Sequence, residues 1–413
     1  PLGVRLLTMS TTQARPNFWH NLALKTRFAH ARLKKGTVRF KTSNLASVYA
    51  AYEERGIAYV VLRWAAEVPM EQSEEAGYTK DVDHLIAAKD VMAALDVSSA
   101  YPGKIKCDYY SAEGRSGTSY NGMPYYQPER ALSILARRSR DPRGFYRPCV
   151  EDEFFAFAYH LCYHKGHRAG IPTGTDVAPD TDAPRDYLAE LKRLAIKAQR
   201  NDLPENMTLL GMHHYLVRNK WGMPYDLMLR WPAGHPFMEA LTCFEEAAME
   251  GDCSLAKDLT IIVLRDDCDS PELEEIARQK IAERFTIVQE IRLDGAARER
   301  VIQRTRGGNW NEKGREETIG PTLAFLCRNA PEPGPLPDNM SAAKVAKRYP
   351  QVHHTDVLIK RAIRAAINKV APTSFGRAAI HATDNPMEAV KTLRAILEDK
   401  ARAFLEDFAK GPR

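Results

Sequence analysis

The stretch GRAAIHATDNPMEA, residues 376–389, decides how the second half of the chain is read. A short apolar run ends on His381, and helix-start chemistry follows almost at once. Asn385 stands where a cap belongs, Pro386 at the first helical position, and Glu388 where a capping-box carboxylate sits. The imidazole is therefore either held in the open for chemistry or a polar residue that ends a strand.

Outward from that histidine, strand and helix patterns alternate. AKDLTIIVLRDD (256–267) reads as a strand after a polar break, and SPELEEIARQKIAERF (270–285) as a helix. FTIVQEIRL (285–293) is a strand, DGAARERVIQRT (294–305) a charged helix, and GPTLAFLCRN (320–329) another strand. APEPGPLPDN (330–339) is a loop, and two helical pieces lead back to the opening stretch. This order predicts an α+β sandwich whose small sheet is covered on one side.

The first half begins with a basic segment, residues 1–40, in which RFAHARLKK (27–35) fits a solvated arm or surface helix. SNLASVYAAYEERG (43–56) is a helix with capping chemistry, closed by Gly56. Strands are expected in IAYVVLRW (57–64), KDVDHLIAA (80–88) and GKIKCDYYSA (103–112), with a helix in AAKDVMAALD (87–96). VEDEFFAFAYHLCYHKG (150–166) is apolar almost all round and reads as a core helix. Residues 171–184 are a Pro/Gly/Asp-rich loop, followed by helical material to about 250. The segments expected are thus 1–40, a first domain over 41–170, a helical region over 171–254, and a last domain over 255–413.

Bulk composition narrows the classes. With 44% hydrophobic and 27% charged residues the chain is not globally disordered. No apolar run approaches the roughly 18 residues of a membrane span. Seven scattered cysteines without a CxxC pair argue against a disulfide framework and a thiolate zinc site, so a cytoplasmic location is expected. A net charge of +6 suits anionic substrates such as nucleotides and is too small to call for nucleic acid as a partner. The opening PLG reads as a scar from an expression tag, with Met9 an internal or true start.

Two clusters carry candidate chemistry in the first half. Asp81 and Asp83 lie two apart on a strand and so share a face, which Asp108 on a following strand can join. Three such carboxylates repel one another unless a divalent cation is bound, and with Mg²⁺ they form the oxygen cage used in phosphoryl and nucleotidyl transfer. YHLCYHKGHR (159–168) sets His160 and His164 on one helix face, then Lys165 and Arg168, which fits a cationic cradle for phosphate or a packed histidine pair at a basic helix end. Arg115, in the loop EGRSGTSYNGMPYY (113–126), is a further candidate phosphate contact.

The strand bearing D-x-D followed by a strand bearing a third Asp resembles the polymerase-beta-type nucleotidyltransferases over about residues 45–165. That resemblance implies a mixed sheet with a helical extension, and Arg63, in the LRW (62–64) that stands where the family has a Gly-Ser turn, as a triphosphate contact. LTIIVLRDD, RFTIVQEIRL, GPTLAFLCRN and AAIHATDNPMEA resemble, in order and rough spacing, the nucleoside diphosphate kinases over about residues 257–400. That resemblance implies a ferredoxin-like fold with His381 taking the γ-phosphate as phosphohistidine and Glu388 orienting the ring. It sets Leu264 or Arg265 in place of the family's first-strand lysine, and Arg361 and Arg364 as substitutes for its phosphate-binding arginines. Arg361 and Arg364 also fit the polar side of a helix whose apolar side is Val357, Leu358, Ala362 and Ile363.

The function expected is an Mg²⁺-dependent phosphoryl- or nucleotidyl-transferase using ATP or another nucleoside triphosphate. Its expected acceptor is a small hydroxylated metabolite or sugar; no membrane partner is expected, and self-association is left open. Two alternatives stand beside it. In one only the first domain is catalytic and the last binds nucleotide or dimerises; in the other the chain is a non-enzymatic nucleotide- or protein-binding protein.

Overall fold

The Asn44 side chain accepts the Ser47 backbone N–H at 2.7 Å, and Gly56 at φ +65° lets the chain turn away after that helix. In this computed structural model the described residues are 18–72, 81–204, 206–265, 268–305, 310, 320–337, 340–349, 351–371 and 378–411. The opening PLG and Met9 lie outside them. Local signals of this kind set most elements where the sequence places them. In chain order these begin with α1 (Phe18–Leu33), β1 (Val38–Thr42), α2 (Leu45–Glu54), β2 (Tyr59–Val61), β3 (Val82–Ile86), α3 (Val91–Ser99) and β4 (Ile105–Ser111).

The four strands form one mixed sheet in the order β1-β4-β3-β2, parallel between β3 and β4 and antiparallel at both outer pairs. Strand alternation turns Val38, Phe40, Val82, Ile86, Cys107 and Tyr109 inward, against Val48, Tyr49 and Tyr52 of α2 and Leu95 of α3. Arg39, Asp83 and Asp108 alternate with these inward residues and emerge on the opposite face. Of the two readings of the basic segment, the described residues take that of a surface helix: Leu24, Phe28 and Ala31 of α1 follow a helical period and are buried in the same core, while Lys25, Arg27 and Arg32 are exposed. Val38–Thr42, which straddles the end of that segment, is a strand of the sheet rather than an arm.

Beyond β4 come α4 (Pro128–Ala136), a hairpin of β5 (Ser139–Arg140) and β6 (Tyr146–Arg147), and α5 (Val150–Tyr159). The core helix expected over 150–166 changes winding after Tyr159, with His160–Lys165 in π-helical geometry up to Gly166. Helices α6 (Tyr187–Lys197), α7 (Leu209–Arg218), α8 (Tyr225–Met228), α9 (Pro236–Ala247) and α10 (Glu250–Leu255) follow. The last part holds β7 (Leu259–Arg265), α11 (Pro271–Ala282), β8 (Phe285–Arg292), α12 (Gly295–Arg304) and β9 (Pro321–Asn329). It ends with α13 (Ala342–Arg348), α14 (Lys360–Val370), β10 (Ile380–Ala382), α15 (Pro386–Leu397) and α16 (Ala401–Lys410). The chain forms two compact units: one ends at Tyr125 and takes in Arg137–Pro148, and the other joins Tyr126–Ala136 to everything from Cys149 onward. The helical region and the last segment therefore share one unit.

The second sheet runs β10-β7-β9-β8, antiparallel at every neighbouring pair. It is covered on both faces, which corrects the expectation of one. Ile262, Leu264, Leu323, Phe325, Ile380 and Ala382 pack on Leu273, Ala277 and Ile281 of α11 and on Ile363 and Ile367 of α14. Leu259, Ile261, Val263, Ala324 and Leu326 pack on Val390 and Leu393 of α15 and Leu405 of α16. Every residue of β7 is buried, the pattern of a strand with apolar layers on both sides. On α14 Ile367 joins Ile363 in the core, while Ala362, expected there, is exposed.

Candidate functional site

His381 lies on β10, at the edge of the second sheet, opposite Val263 of β7. Ile380 and Ala382 point into the layer of α11 and α14, so alternation sends the imidazole to the other face, beside α15. There its ring meets the Trp310 indole nearly edge-on, with centroids 6.0 Å apart. The backbone around it is tied down from several directions. Arg364 donates through Nε and Nη2 to the Ile380 carbonyl at 3.2 and 2.8 Å, and Thr383 Oγ1 accepts the Ile261 N–H at 2.9 Å. Asn385 caps α15 by accepting the Glu388 N–H at 2.9 Å, and Glu388 reaches back to accept the Asp384 N–H at 2.8 Å.

The ring opens on a cleft lined by Glu388, Lys391 and Thr392 of α15, Arg304 and Thr305 at the end of α12, and Tyr225 of α8. It has about 310 Å³ of empty space, open to solvent, of which about 30 Å³ admits the centre of a water molecule. That accommodates a phosphoryl-sized group and not a nucleoside. Two cations, Arg304 and Lys391, therefore share a small cleft with an imidazole and a carboxylate.

Lys391 is held by a chain of polar groups. Its Nζ donates to Glu245 Oε2 at 2.6 Å and lies 4.9 Å from the centre of the Tyr225 ring. Glu245 Oε1 is 3.2 Å from His213 Nε2, and His213 Nδ1 is 2.9 Å from the Tyr163 hydroxyl. The Glu245 carboxylate can only accept, so Nε2–H donates to it, and in the neutral ring Nδ1 is left to accept the Tyr163 hydroxyl proton, while that oxygen also accepts the Met223 N–H at 3.1 Å. The His213 hydrogen bond, with Lys391 beside it, holds the Glu245 carboxyl down at about 2. Tyr225 Oη donates separately to Glu246 at 2.6 Å.

The arginines expected beside His381 lie elsewhere. Arg265 is fully buried at the end of β7 and donates to the Trp310 carbonyl at 2.6 Å, an interior role rather than a phosphate contact. Arg361 is on the surface, donating to the Tyr349 hydroxyl, and Arg364 fixes the strand that presents His381. Arg304 and Lys391 escaped the sequence reading. The available signal was spacing, since Glu388, Lys391 and Thr392 fall at i, i+3 and i+4 on one helix face.

In the first unit the three aspartates do converge. Asp83 and Asp108 are register partners on the parallel strands β3 and β4, and Asp81 adjoins them. Their countercharge comes from arginines. Arg39, the register partner of Asp108 on β1, binds it through Nε at 2.5 Å and Nη2 at 2.6 Å, and reaches Asp81 at 3.1 Å. Arg63 donates to Asp83 and, at 2.7 Å, to the Tyr125 hydroxyl, which occupies the side chain expected to grip a triphosphate. Burial pushes the Asp83 carboxyl up, Arg63 opposes this, and Asp108 and Asp81 add to the rise. Among the described residues no group of three or more histidine, cysteine or acidic side chains is set to hold a metal ion. Both oxygens of Asp108 and the carboxylate of Asp83 are spoken for, so the trio as arranged does not fit the expected Mg²⁺ cage.

The histidine-rich segment splits its charges as well. His160 and His164 stack with centroids 5.8 Å apart, Lys165 sits over the Tyr187 ring at 5.3 Å, and exposed Arg168 donates to the His164 carbonyl at 3.5 Å. His235 lies against Gly166, and burial, with Arg168 next, holds its pKa down. Arg115 donates to the Ala88 carbonyl at 3.1 Å and lies over the Phe28 ring at 5.3 Å. Compared with protein-family models, curated proteins and solved structures, the chain matches none of them.

Proposed function

We propose that this protein transfers phosphoryl groups, taking the terminal phosphoryl of a nucleoside triphosphate onto His381 and passing it to a small hydroxylated acceptor. The observation that carries this reading is the cleft that His381 shares with Arg304 and Lys391. The antiparallel order β10-β7-β9-β8, with α11 and α14 on one face, supports a ferredoxin-like, nucleoside-diphosphate-kinase-like second unit. Its strand and helix order supports the same reading.

A neutral imidazole nitrogen gives its lone pair to phosphorus as the bond to the bridging oxygen breaks, and that electron pair leaves with the nucleoside diphosphate. Arg304 and Lys391 offset the negative charge spread over the transferring oxygens. In the second step an acceptor hydroxyl oxygen attacks the same phosphorus, loses its proton to solvent, and returns the pair to the imidazole. The cleft admits the phosphoryl end alone, so the nucleoside stays outside it. No step is assigned to Asp81, Asp83 or Asp108, because Arg39 and Arg63 already neutralise them.

Incubation with γ-labelled ATP tests the reading. The expected product is a protein label lost in acid and stable in base, absent from His381→Ala. A label of the same lability that persists in that variant rules out the phosphohistidine.

A further inference from the structure

The first unit carries a groove of about 620 Å³ along β1, at the edge of the mixed sheet. Arg27 of α1 and Arg39 and Lys41 of β1 line it, and no carboxylate does. Leu24 and Phe40, each about 5% exposed, lie beneath it, and the Pro102–Gly103 turn before β4 completes its lining. The sequence around it is one-signed: no Asp or Glu precedes Glu53. Arg27 and Lys41 are exposed and have no carboxylate partner among the described residues; Arg27 rests over the Phe40 ring at 5.2 Å. Arg39 is 52% exposed, so its guanidinium meets solvent while its inner edge holds Asp108 and Asp81.

Two cations without a carboxylate partner, with the outer edge of Arg39 beside them, describe a receptor for a molecule with several closely spaced negative charges. The volume lies within the roughly 300–1,000 Å³ of small-molecule sites. Insertion of α1 into a lipid surface is disfavoured, because its apolar stripe of Leu24, Phe28 and Ala31 is already spent on the core. We propose that this groove binds the polyphosphate chain of a nucleotide, with phosphates on Arg27 and Lys41 and the solvent-facing edge of Arg39 beside them. It does not rest on the His381 chemistry.

The test uses the full chain carrying His381→Ala, Arg304→Gln and Lys391→Met, so that the other cleft neither turns ATP over nor holds its phosphates. Calorimetric titration with ATP is expected to show binding that weakens as salt is raised. Inorganic tripolyphosphate competes and adenosine does not. Arg27→Glu with Lys41→Glu is expected to weaken ATP at least tenfold, and the milder Arg27→Gln with Lys41→Gln to weaken it less. ATP is also expected to shield Lys41 from acetylation. Unchanged ATP affinity in the charge-reversed protein overturns the proposal. So does tighter binding of a twenty-residue oligothymidylate than of ATP, since the surface would then serve a polynucleotide.

Discussion

Lys391 depends for its position on residues far away in the chain. Glu245 fixes the ammonium and is itself oriented by His213, whose other ring nitrogen is held by the Tyr163 hydroxyl. Lys391→Met removes a charge that acts on the transferring phosphoryl, and should slow phosphohistidine formation by roughly 10²-fold while leaving the fold intact. Quenched single-turnover labelling measures this, and an unchanged rate would remove Lys391 from the chemistry. A second residue-scale effect belongs to His84, fully buried between Tyr49, 2.9 Å from its Nε2, and the stacked Tyr109 ring. Burial lowers its pKa to about 4. The folded state thus holds the ring neutral, while the unfolded chain takes up a proton near 6.5. Stability is complete above about 6.5 and is lost as pH falls toward about 4, by roughly 3 kcal/mol at full extent. Asp83, whose carboxyl is raised, works in the opposite direction, favouring the fold at low pH and losing that contribution as pH rises through its own titration. His84→Phe should therefore flatten the chemical-denaturation profile between pH 6.5 and 4 relative to the parent; an equally steep profile would show that His84 is not the group titrating.

Elements carry their own tests. The cap on α15 fixes the turn beside His381, and Asn385→Ala should cost about 1 kcal/mol, as lost caps do. The same change should also reduce labelling, because the helix start and the strand end share that turn. Helix α1 offers a sharper contrast. Phe28 is buried in the core of the first unit while Lys25 is exposed, so Phe28→Ala should destabilise by about 3 kcal/mol and Lys25→Ala by almost nothing. Equal and small effects by urea denaturation would return α1 to the status of a solvated arm. Gly166 sits at φ +55° with its hydrogen facing His235, where a methyl carbon would lie 2.4 Å from Cε1. Gly166→Ala should lower the melting temperature through both strain and clash.

At the scale of the whole molecule, the two units place charge differently, and that is where sequence and structure part. Helices α2, α11 and α15 and strands β3, β4, β7 and β9 were legible in the sequence because caps and apolar periodicity act within a few residues. β1 was hidden, since VRFKT alternates over only five residues and follows a run of cations. The two-sided cover of the second sheet was written in the unbroken apolar run of β7 but read as one-sided. The capped turn after His381 was legible too, down to Asn385 and Glu388. Counterions were another matter. Arg39 meets Asp108 across 69 positions, and Lys391 meets Glu245 across 146, and no local pattern announces a partner at such range. The amino-acid order alone determined where most of the strands and helices lie, because caps and periodicity are short-range energies. Only the folded chain decided that arginines, in place of a divalent metal ion, face the aspartates, and that Arg304 and Lys391 stand beside the imidazole, because side-chain pairing across a sheet or between helices exists only once distant segments have packed.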